Sequence, residues 1–426
     1  FSRSLAAAPG RLHMAAHSHH LWPDASFAGQ VECWEDAARL ADCKWDRIMG
    51  EVWPEAQRHV ADELGTGMAD AVVFAANTHD FLIRLWAAAP RRSGGPLRIL
   101  TSDGEFHSAR RQFARWVESG DISLRVVPVE PFASFPDRFL EEARTGEHDL
   151  ILVSQVLFGS GRIFGAVAEL AALAQPDGPW VVIDGYHSFM ALERPLLPLP
   201  LAGGGRGVGA SASARAGTVR AGEDAATSLR SAPPPPPLAS GRGETLPERA
   251  FFLAGGYKYA MAGEGMGFMR CPPGFGPRPP LTGWYAEFDD LTLPPGMVGY
   301  APDAMRFMGA TFDPSALYRF NAIRRALVAE GLTTARISAQ VASLQERLLA
   351  GLSGSALASA ELLNPLDGGP HARFLALRHP QAAAWQQALM QRDCITDVRG
   401  DVLRVGLGLY HDEADVDAFL KLAATL

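Results

Sequence analysis

Short apolar segments alternate with amphipathic segments between about Ala71 and Met269. The amphipathic ones, such as Thr78–Ala88 and Ser108–Glu118, carry apolar residues at helical spacing. This alternation predicts an α/β fold with a mostly parallel sheet and helices on both faces, in which ligands bind at the carboxyl ends of the strands. The predicted buried strands are Ala71–Ala75, Leu97–Thr101, Leu150–Ser154, Trp180–Ile183, Ala250–Ala254 and Gly267–Met269.

The pattern changes after about Asp313. Helices are predicted from Pro314 or Ser315 through Ala329, from Thr333 to about Leu352 and, after a hairpin-like region, over Glu413–Ala424. These elements predict a smaller α/β domain that the N-terminal segment completes. The expected division is an N-terminal segment over 1–55, a large domain over 56–312 and a C-terminal small domain over 313–426.

Residues 201–249 do not follow this order. Gly, Ala, Ser, Arg and Pro dominate them, with five consecutive prolines at Pro233–Pro237. Such a composition buries too little apolar surface to offset the entropy of ordering the chain. We therefore expect a disordered low-complexity insertion between two core strands.

Composition narrows the class of protein. The 426 residues are 47% apolar and carry a formal net charge of −8, which argues against a nucleic-acid partner. The four cysteines form no CxxC pair, so a reducing, cytoplasmic location is expected. No apolar run approaches the roughly 18 residues of a membrane span.

The strand Trp180–Ile183 is followed by an acid, Asp184, and three residues later by His187. One interpretation is an aspartate that caps a helix, with the histidine there by chance. The other is a carboxylate that pairs with the pyridine nitrogen of pyridoxal 5′-phosphate (PLP), whose protonated ring acts as an electron sink.

Lys258 stands between two tyrosines in a glycine-rich turn, directly after the strand Ala250–Ala254. Small neighbours let the backbone approach a planar ligand closely. A lysine amine kept from water suits Schiff-base chemistry, because its pKa falls readily. An exposed surface lysine is the alternative, but Lys258 and Asp184 together favour a PLP site.

An Asp-x-x-His after one strand and a Tyr-Lys-Tyr in a glycine-rich turn after a later one resemble kynureninase, within the class V aminotransferase group of fold type I PLP enzymes. The resemblance covers essentially the whole chain except residues 201–249. It implies a seven-stranded type of sheet in a large PLP-binding domain, a smaller α/β domain, and a homodimer with shared active sites.

The same resemblance implies roles for single residues. Lys258 would carry PLP as a Schiff base and Asp184 would pair with the pyridine nitrogen. His187 would lie beside the ring, near its phenolic oxygen or phosphate edge, and Tyr257 would reach the phosphate. Asn77 and Thr78, at a strand end and a helix start, would form the phosphate cup, although plain helix capping explains them equally well.

Further positions match the family less fully. Phe106 would stack on the cofactor ring, and Ser154 would lie close to the cofactor. Trp284 would reach the phosphate across the dimer interface, where Thr311 replaces an asparagine of kynureninases. Arg404, in a late strand, would clamp the α-carboxylate of an amino-acid substrate with its bidentate guanidinium.

Four histidines, His13, His17, His19 and His20, crowd the N-terminal segment. They lack acidic or cysteine partners at ligand spacing, so we expect no metal site. In the resembling family this segment forms a loop over the substrate pocket, where His17, His19 and His20 would contact substrate in place of the usual Asn-Ser-Leu-Gly.

Three functions remain open on the sequence. The first is a kynureninase-like hydrolase or lyase, the second a class V aminotransferase, and the third a non-catalytic binding protein. The intact set of Lys258, Asp184 and Arg404 argues against the third. A desulfurase is disfavoured, because Cys394 lies in a predicted strand rather than on a mobile loop.

Overall fold

The computed structural model of the protein describes residues 1–196, 249–288 and 292–426. The helices are α1 (Ser2–Ala6), α2 (Asp24–Leu40), α3 (Lys44–Arg47), α4 (Trp53–Leu64), α5 (Thr78–Ala88), α6 (His107–Glu118), α7 (Phe135–Arg144), α8 (Val167–Ala171), α9 (Ser315–Ala329), α10 (Thr334–Gly351), α11 (Ala382–Met390) and α12 (Glu413–Ala423). The strands are β1 (Leu12–His13), β2 (Val72–Ala75), β3 (Leu97–Ser102), β4 (Ile122–Val127), β5 (Leu150–Ser154), β6 (Trp180–Asp184), β7 (Phe251–Gly255), β8 (Gly267–Arg270), β9 (Glu361–Leu362), β10 (Phe374–Arg378), β11 (Cys394–Ile395), β12 (Asp397–Arg399) and β13 (Val402–Gly406). Apart from Arg249, the segment 201–249 lies outside the described residues.

A seven-stranded sheet is formed by strands that lie between Val72 and Arg270 in the chain. Its strand order is β2-β8-β7-β6-β5-β3-β4, and β8 alone runs antiparallel to its neighbours. The central strands are buried along their length, as expected when helices cover both faces of a sheet. The predicted α/β fold with a mostly parallel sheet is confirmed.

The second sheet belongs to the C-terminal part of the chain. It has four antiparallel strands in the order β12-β13-β10-β9. The N-terminal strand β1 pairs in parallel with β11, and Ala15 bridges to Gly406 on β13. These pairings hold the histidine-rich segment after β1 beside the carboxyl ends of the large sheet.

Helix α2 of the N-terminal segment packs against α9 at the start of the C-terminal part. A Cβ atom at Gly29 of α2 would lie 2.5 Å from the Tyr318 carbonyl oxygen of α9. Only glycine therefore permits this close helix crossing.

Among the described residues, no helix is both long enough and apolar enough to span a membrane.

Candidate active site

A cavity of about 390 Å³ opens at the carboxyl ends of the central strands. Eight residues singled out in the sequence line it together: Asn77, Thr78, Phe106, Ser154, Asp184, His187, Tyr257 and Lys258. Their convergence follows from the sheet, since parallel strands deliver the residues that follow them to one edge.

Lys258 follows β7 in a tight turn and is buried. Its Nζ donates a hydrogen bond to the His17 carbonyl oxygen at 2.7 Å and lies 5.9 Å from the centre of the Tyr186 ring. Burial, and secondarily the positive charge of Arg404, lowers the pKa of Lys258 to about 7. Near neutral pH a large share of this amine is therefore uncharged and nucleophilic.

Asp184 ends β6, between Ser154 of β5 and Leu253 of β7. One of its carboxylate oxygens accepts a hydrogen bond from the Tyr186 backbone N–H at 2.9 Å. Burial raises the pKa of Asp184, and the backbone hydrogen bond and the charge of Lys258 offset this only in part. A cation placed against this partly buried carboxylate would stabilise its charged form.

The N-terminus of α5 points its first backbone N–H groups at the same region. Asn77 caps the helix by accepting a hydrogen bond from the Asp80 N–H at 3.0 Å, and Thr78 is the first helical residue. The neighbouring strand β8 approaches so closely that a Cβ at Gly267 would lie 2.5 Å from the Asn77 backbone. An eleven-residue helix that ends at a cavity in this way suits an anion such as a phosphate.

His187 and Phe106 are two of the residues with planar rings that line the cavity. Both ring nitrogens of His187 are buried without a hydrogen-bond partner among the described residues. Burial and the nearby positive charges of Lys258 and Arg404 hold the pKa of His187 well below its ordinary value, so the ring is neutral. Phe106 sits half exposed and meets Phe158 edge to face, with ring centres 5.0 Å apart.

The set fits PLP. The cavity presents an amine that is partly uncharged near neutral pH for its aldehyde, a partly buried carboxylate for its ring nitrogen, a helix N-terminus for its phosphate and a neutral histidine with unused hydrogen-bonding capacity. The fold holds both groups in place before any ligand binds. The amine donates to a carbonyl 241 residues away in the chain, and the acid ends a strand that is paired with a neighbouring strand on each side.

Glu105 is a residue that the sequence analysis did not single out. It is buried, and it accepts hydrogen bonds from Ser102 Oγ and Ser154 Oγ, each at 2.5 Å, and from the Ser154 N–H at 3.2 Å. Burial raises the pKa of Glu105 to about 7 despite these hydrogen bonds. Glu105 thus fixes the orientation of Ser154, which lines the cavity beside Asp184.

Arg404, which the sequence predicts at the substrate carboxylate, is not among the residues that line the cavity. It is fully buried (0% exposed) behind the cavity lining, where it donates to the Phe158 carbonyl oxygen at 2.6 Å and pairs with Asp397. Arg399 lines the cavity instead, and its Nη1 lies 2.7 Å from the other oxygen of Asp397. Burial alone would raise the pKa of Asp397, but contacts with His17 and Arg404 outweigh it, so this carboxylate stays charged.

The histidine-rich segment reaches the site mainly through its backbone. His17 gives its carbonyl oxygen to Lys258, and its buried ring stacks on Phe374 at 4.6 Å. His19 meets the Tyr257 ring edge on at 5.2 Å, whereas His20 packs against Tyr410. None of these three rings belongs to the cavity lining, but Ser18 between them does.

Trp284 and Thr311 lie outside the cavity of their own chain. Trp284 is 42% exposed, and Thr311 is exposed near Arg84 at the rim of another depression. Their segments are held together, since the Tyr285 N–H donates to the Gly309 carbonyl oxygen at 3.2 Å. The predicted role of both residues concerns a neighbouring subunit.

In the ranges that the structure describes, no group of three or more His, Cys, Asp and Glu side chains is arranged to hold a metal ion.

Comparison with curated protein sequences gives no match. The sequence model of the kynureninase C-terminal domain family matches residues 337–422.

Solved structures resemble the chain over nearly its whole length. A cysteine desulfurase from Thermococcus onnurineus NA1 is 17% identical, with a TM-score of 0.69 over 97% of this chain and 94% of that one. The cystine C-S lyase C-DES, in complex with cysteine persulfide, is 15% identical, with a TM-score of 0.71 over 98% and 99%. The cysteine desulfurase CsdA from Escherichia coli is 13% identical, with a TM-score of 0.70 over 97% and 93%.

These findings fit the geometry of the site and the order of the strands. At such low identity the solved structures show only the fold, which is that of fold type I enzymes. The family match covers only the C-terminal segment. The predicted resemblance is therefore confirmed: the chain is similar to kynureninases in its C-terminal segment and has the fold of the class V aminotransferase group.

Proposed function

We propose that this protein is a PLP-dependent enzyme that acts on an amino acid as a hydrolase or lyase of the kynureninase type. The observation that carries the proposal is the buried amine of Lys258, which shares one cavity with the strand-end carboxylate of Asp184 and the N-terminus of α5. The C-terminal family match favours the kynureninase type over an aminotransferase.

Three groups of the cavity would have defined roles in such a reaction: Asp184, Lys258 and the N-terminus of α5. PLP, when bound, supplies an electron sink for negative charge that develops on the substrate. Asp184 would keep the ring nitrogen protonated, and the N-terminus of α5 would hold the phosphate. Lys258, with its pKa lowered to about 7 by burial, would attach the cofactor and could accept or return a proton near neutral pH.

A desulfurase activity is disfavoured despite the structural similarity, because a thiol that receives sulfur has to reach the substrate. None of the residues that line the cavity is a cysteine. Cys394 is buried in β11, and burial raises the pKa of its thiol to about 12, so it is neither accessible nor ionised.

A substrate screen followed by absorption spectroscopy tests the proposed class of reaction. Kynurenine-like β-substituted amino acids should be cleaved while the cofactor returns to its aldehyde form after each turnover. Accumulation of the amine form, relieved by an added keto acid, would instead establish an aminotransferase. Lack of any spectral change across the amino acids tested would contradict both.

Arg399 should contact the carboxylate of the substrate, because it lines the cavity and Arg404 does not. A hydrogen bond to a charged group contributes about 1.5–3 kcal/mol, so Arg399→Gln should raise KM roughly 10- to 100-fold with a smaller effect on kcat. Steady-state kinetics with the amino acid, and with its analogue that lacks the carboxylate, would measure this. The exposed Arg115→Gln serves as the control.

Arg404→Gln should act differently, since it leaves Asp397 buried without its closest partner. Breaking a buried ion pair costs about 3–5 kcal/mol, so we expect a lower Tm. If Arg404→Gln instead raised KM at unchanged Tm, while Arg399→Gln did not raise KM, the assignment made from the sequence would hold and ours would fail.

The proposed enzyme is a homodimer in which Trp284 of one subunit completes the phosphate site of the other. Trp284→Ala should then weaken PLP retention although Lys258 is unchanged, whereas Trp34→Ala, at another exposed tryptophan, should not. Because a ligand that bridges subunits stabilises their association, PLP should also strengthen the dimer. Sedimentation of cofactor-free and loaded protein over a dilution series would measure this, and a monomer that keeps PLP would contradict it.

A further inference from the structure

A second cavity, of about 510 Å³, lies away from the candidate active site. The segment Ala191–Arg194 of the large domain forms one wall, and α10 with the residues before β10 forms the other. No residue lines both this cavity and the one around Lys258. Nothing in the proposed chemistry uses it.

Arg373 is the unusual residue of this cavity. It is only 3% exposed, and its Nη2 donates to Ser338 Oγ at 2.9 Å and to the Thr334 carbonyl oxygen at 3.3 Å. Its Nε is buried with no hydrogen-bond partner, and no described Asp or Glu carboxylate lies within ion-pair distance. Burial lowers the pKa of Arg373 to about 10, so the side chain stays charged at neutral pH.

A buried cation without an anion is costly, and proteins generally pair such groups. Among the charged residues that line the cavity, exposed Arg194 and exposed Glu193 offset one another, which leaves the charge of Arg373. Outside the lining, the guanidinium lies 5.3 Å from the centre of the Tyr259 ring and is influenced by the charge of Glu63, but neither forms an ion pair with it. A planar guanidinium with an unused N–H matches a carboxylate or a phosphate oxygen. The cavity is also large enough for a small metabolite.

We propose that this cavity is a binding site for a small molecule with an oxyanion group, a carboxylate or a phosphate, which pairs with Arg373. The ligand hydrogen-bonds to the guanidinium beside Ser338. The site is distinct from the one at Lys258, so occupancy does not depend on the proposed reaction.

Thermal unfolding of the cofactor-loaded protein tests the proposal, because bound PLP keeps added anions from the N-terminus of α5. Succinate and inorganic phosphate are titrated separately, with chloride at equal ionic strength as reference. A ligand that binds only the folded state raises Tm, and we expect a rise of about 2 °C or more at saturation with at least one of the two anions. The anion that acts identifies the oxyanion group.

Variants locate the binding. Ala339→Phe, at an exposed position of α10 that lines the cavity, should fill the space and abolish the rise, as should Arg373→Gln. Arg336→Gln, an exposed arginine of the same helix outside the cavity, should leave it unchanged. A rise that persists in Ala339→Phe, or no rise beyond that with chloride in the wild type, overturns the proposal. If Arg373→Gln does not fold, Ala339→Phe decides alone.

Discussion

Replacement of Lys258 by alanine should abolish covalent cofactor attachment and lower kcat by about 10²- to 10⁴-fold or more. The amine is expected both to hold PLP and to transfer a proton, and general acid–base catalysis alone contributes a factor of this size. Folding should survive, because Lys258 lines a cavity and its side chain makes one hydrogen bond, to the His17 carbonyl. Visible absorption and turnover of wild type and variant measure both effects.

The chain makes the attachment site easy to verify. Of its 39 basic residues only three are lysines, Lys44, Lys258 and Lys421. Borohydride reduction of the wild type, followed by peptide mapping, should find a phosphopyridoxyl group on Lys258 alone. Lys421→Ala, at an exposed position of α12, is the control and should keep cofactor and activity. Label on either of the other two lysines would refute the assignment.

The pH dependence of attachment follows from the sign of the pKa shift. Only the neutral amine reacts with an aldehyde, and burial lowers the pKa of Lys258 to about 7. The rate at which cofactor-free protein takes up PLP should therefore rise with pH and level off above about 7. An ordinary lysine would level off only above about 10.4.

Periodicity alone placed most of the elements around the site. The segments Thr78–Ala88 and Leu150–Ser154 agree with α5 and β5. The strand predicted to end at Ile183 continues one residue further, because backbone pairing extends to Asp184 whatever the polarity of its side chain. Strand β4 was missed, since it lies at the sheet edge and most of its side chains are not buried.

The site residues predicted from short motifs line the cavity, and those that depend on distant contacts were harder to place. No local sequence pattern indicates that Arg404 donates a hydrogen bond to the Phe158 carbonyl, 246 residues away, or that Arg399 lines the cavity. Glu105 likewise acquires its role only when Ser154, 49 residues later, comes into contact. The scarcity of lysine was a usable signal, because Lys258 is one of only three lysines among 39 Lys and Arg residues and lies in a buried turn.

Asp184→Asn should lower kcat by about 10²- to 10⁴-fold while PLP remains bound. The carboxylate is held at the end of β6, and an amide in its place cannot keep the pyridine nitrogen protonated. Loss of one partner of a buried ion pair costs about 3–5 kcal/mol, and each 1.36 kcal/mol corresponds to a factor of ten in rate. Turnover and the absorption spectrum of the bound cofactor measure the loss.

Stability should respond to this substitution with opposite signs in the two forms of the protein. Burial raises the pKa of Asp184, so in the cofactor-free protein its charge is destabilising at neutral pH, and Asp184→Asn should leave Tm unchanged or higher. In the loaded protein the same carboxylate meets a cation, and the variant should have the lower Tm. Asp149→Asn is the control. Asp149 is more deeply buried than Asp184 and pairs with Arg92 and Arg98 at the amino ends of the strands, so its replacement should lower Tm in both forms. An Asp184→Asn protein as active as the wild type, or destabilised equally with and without PLP, would mean that Asp184 is a structural acid and not the partner of the ring nitrogen.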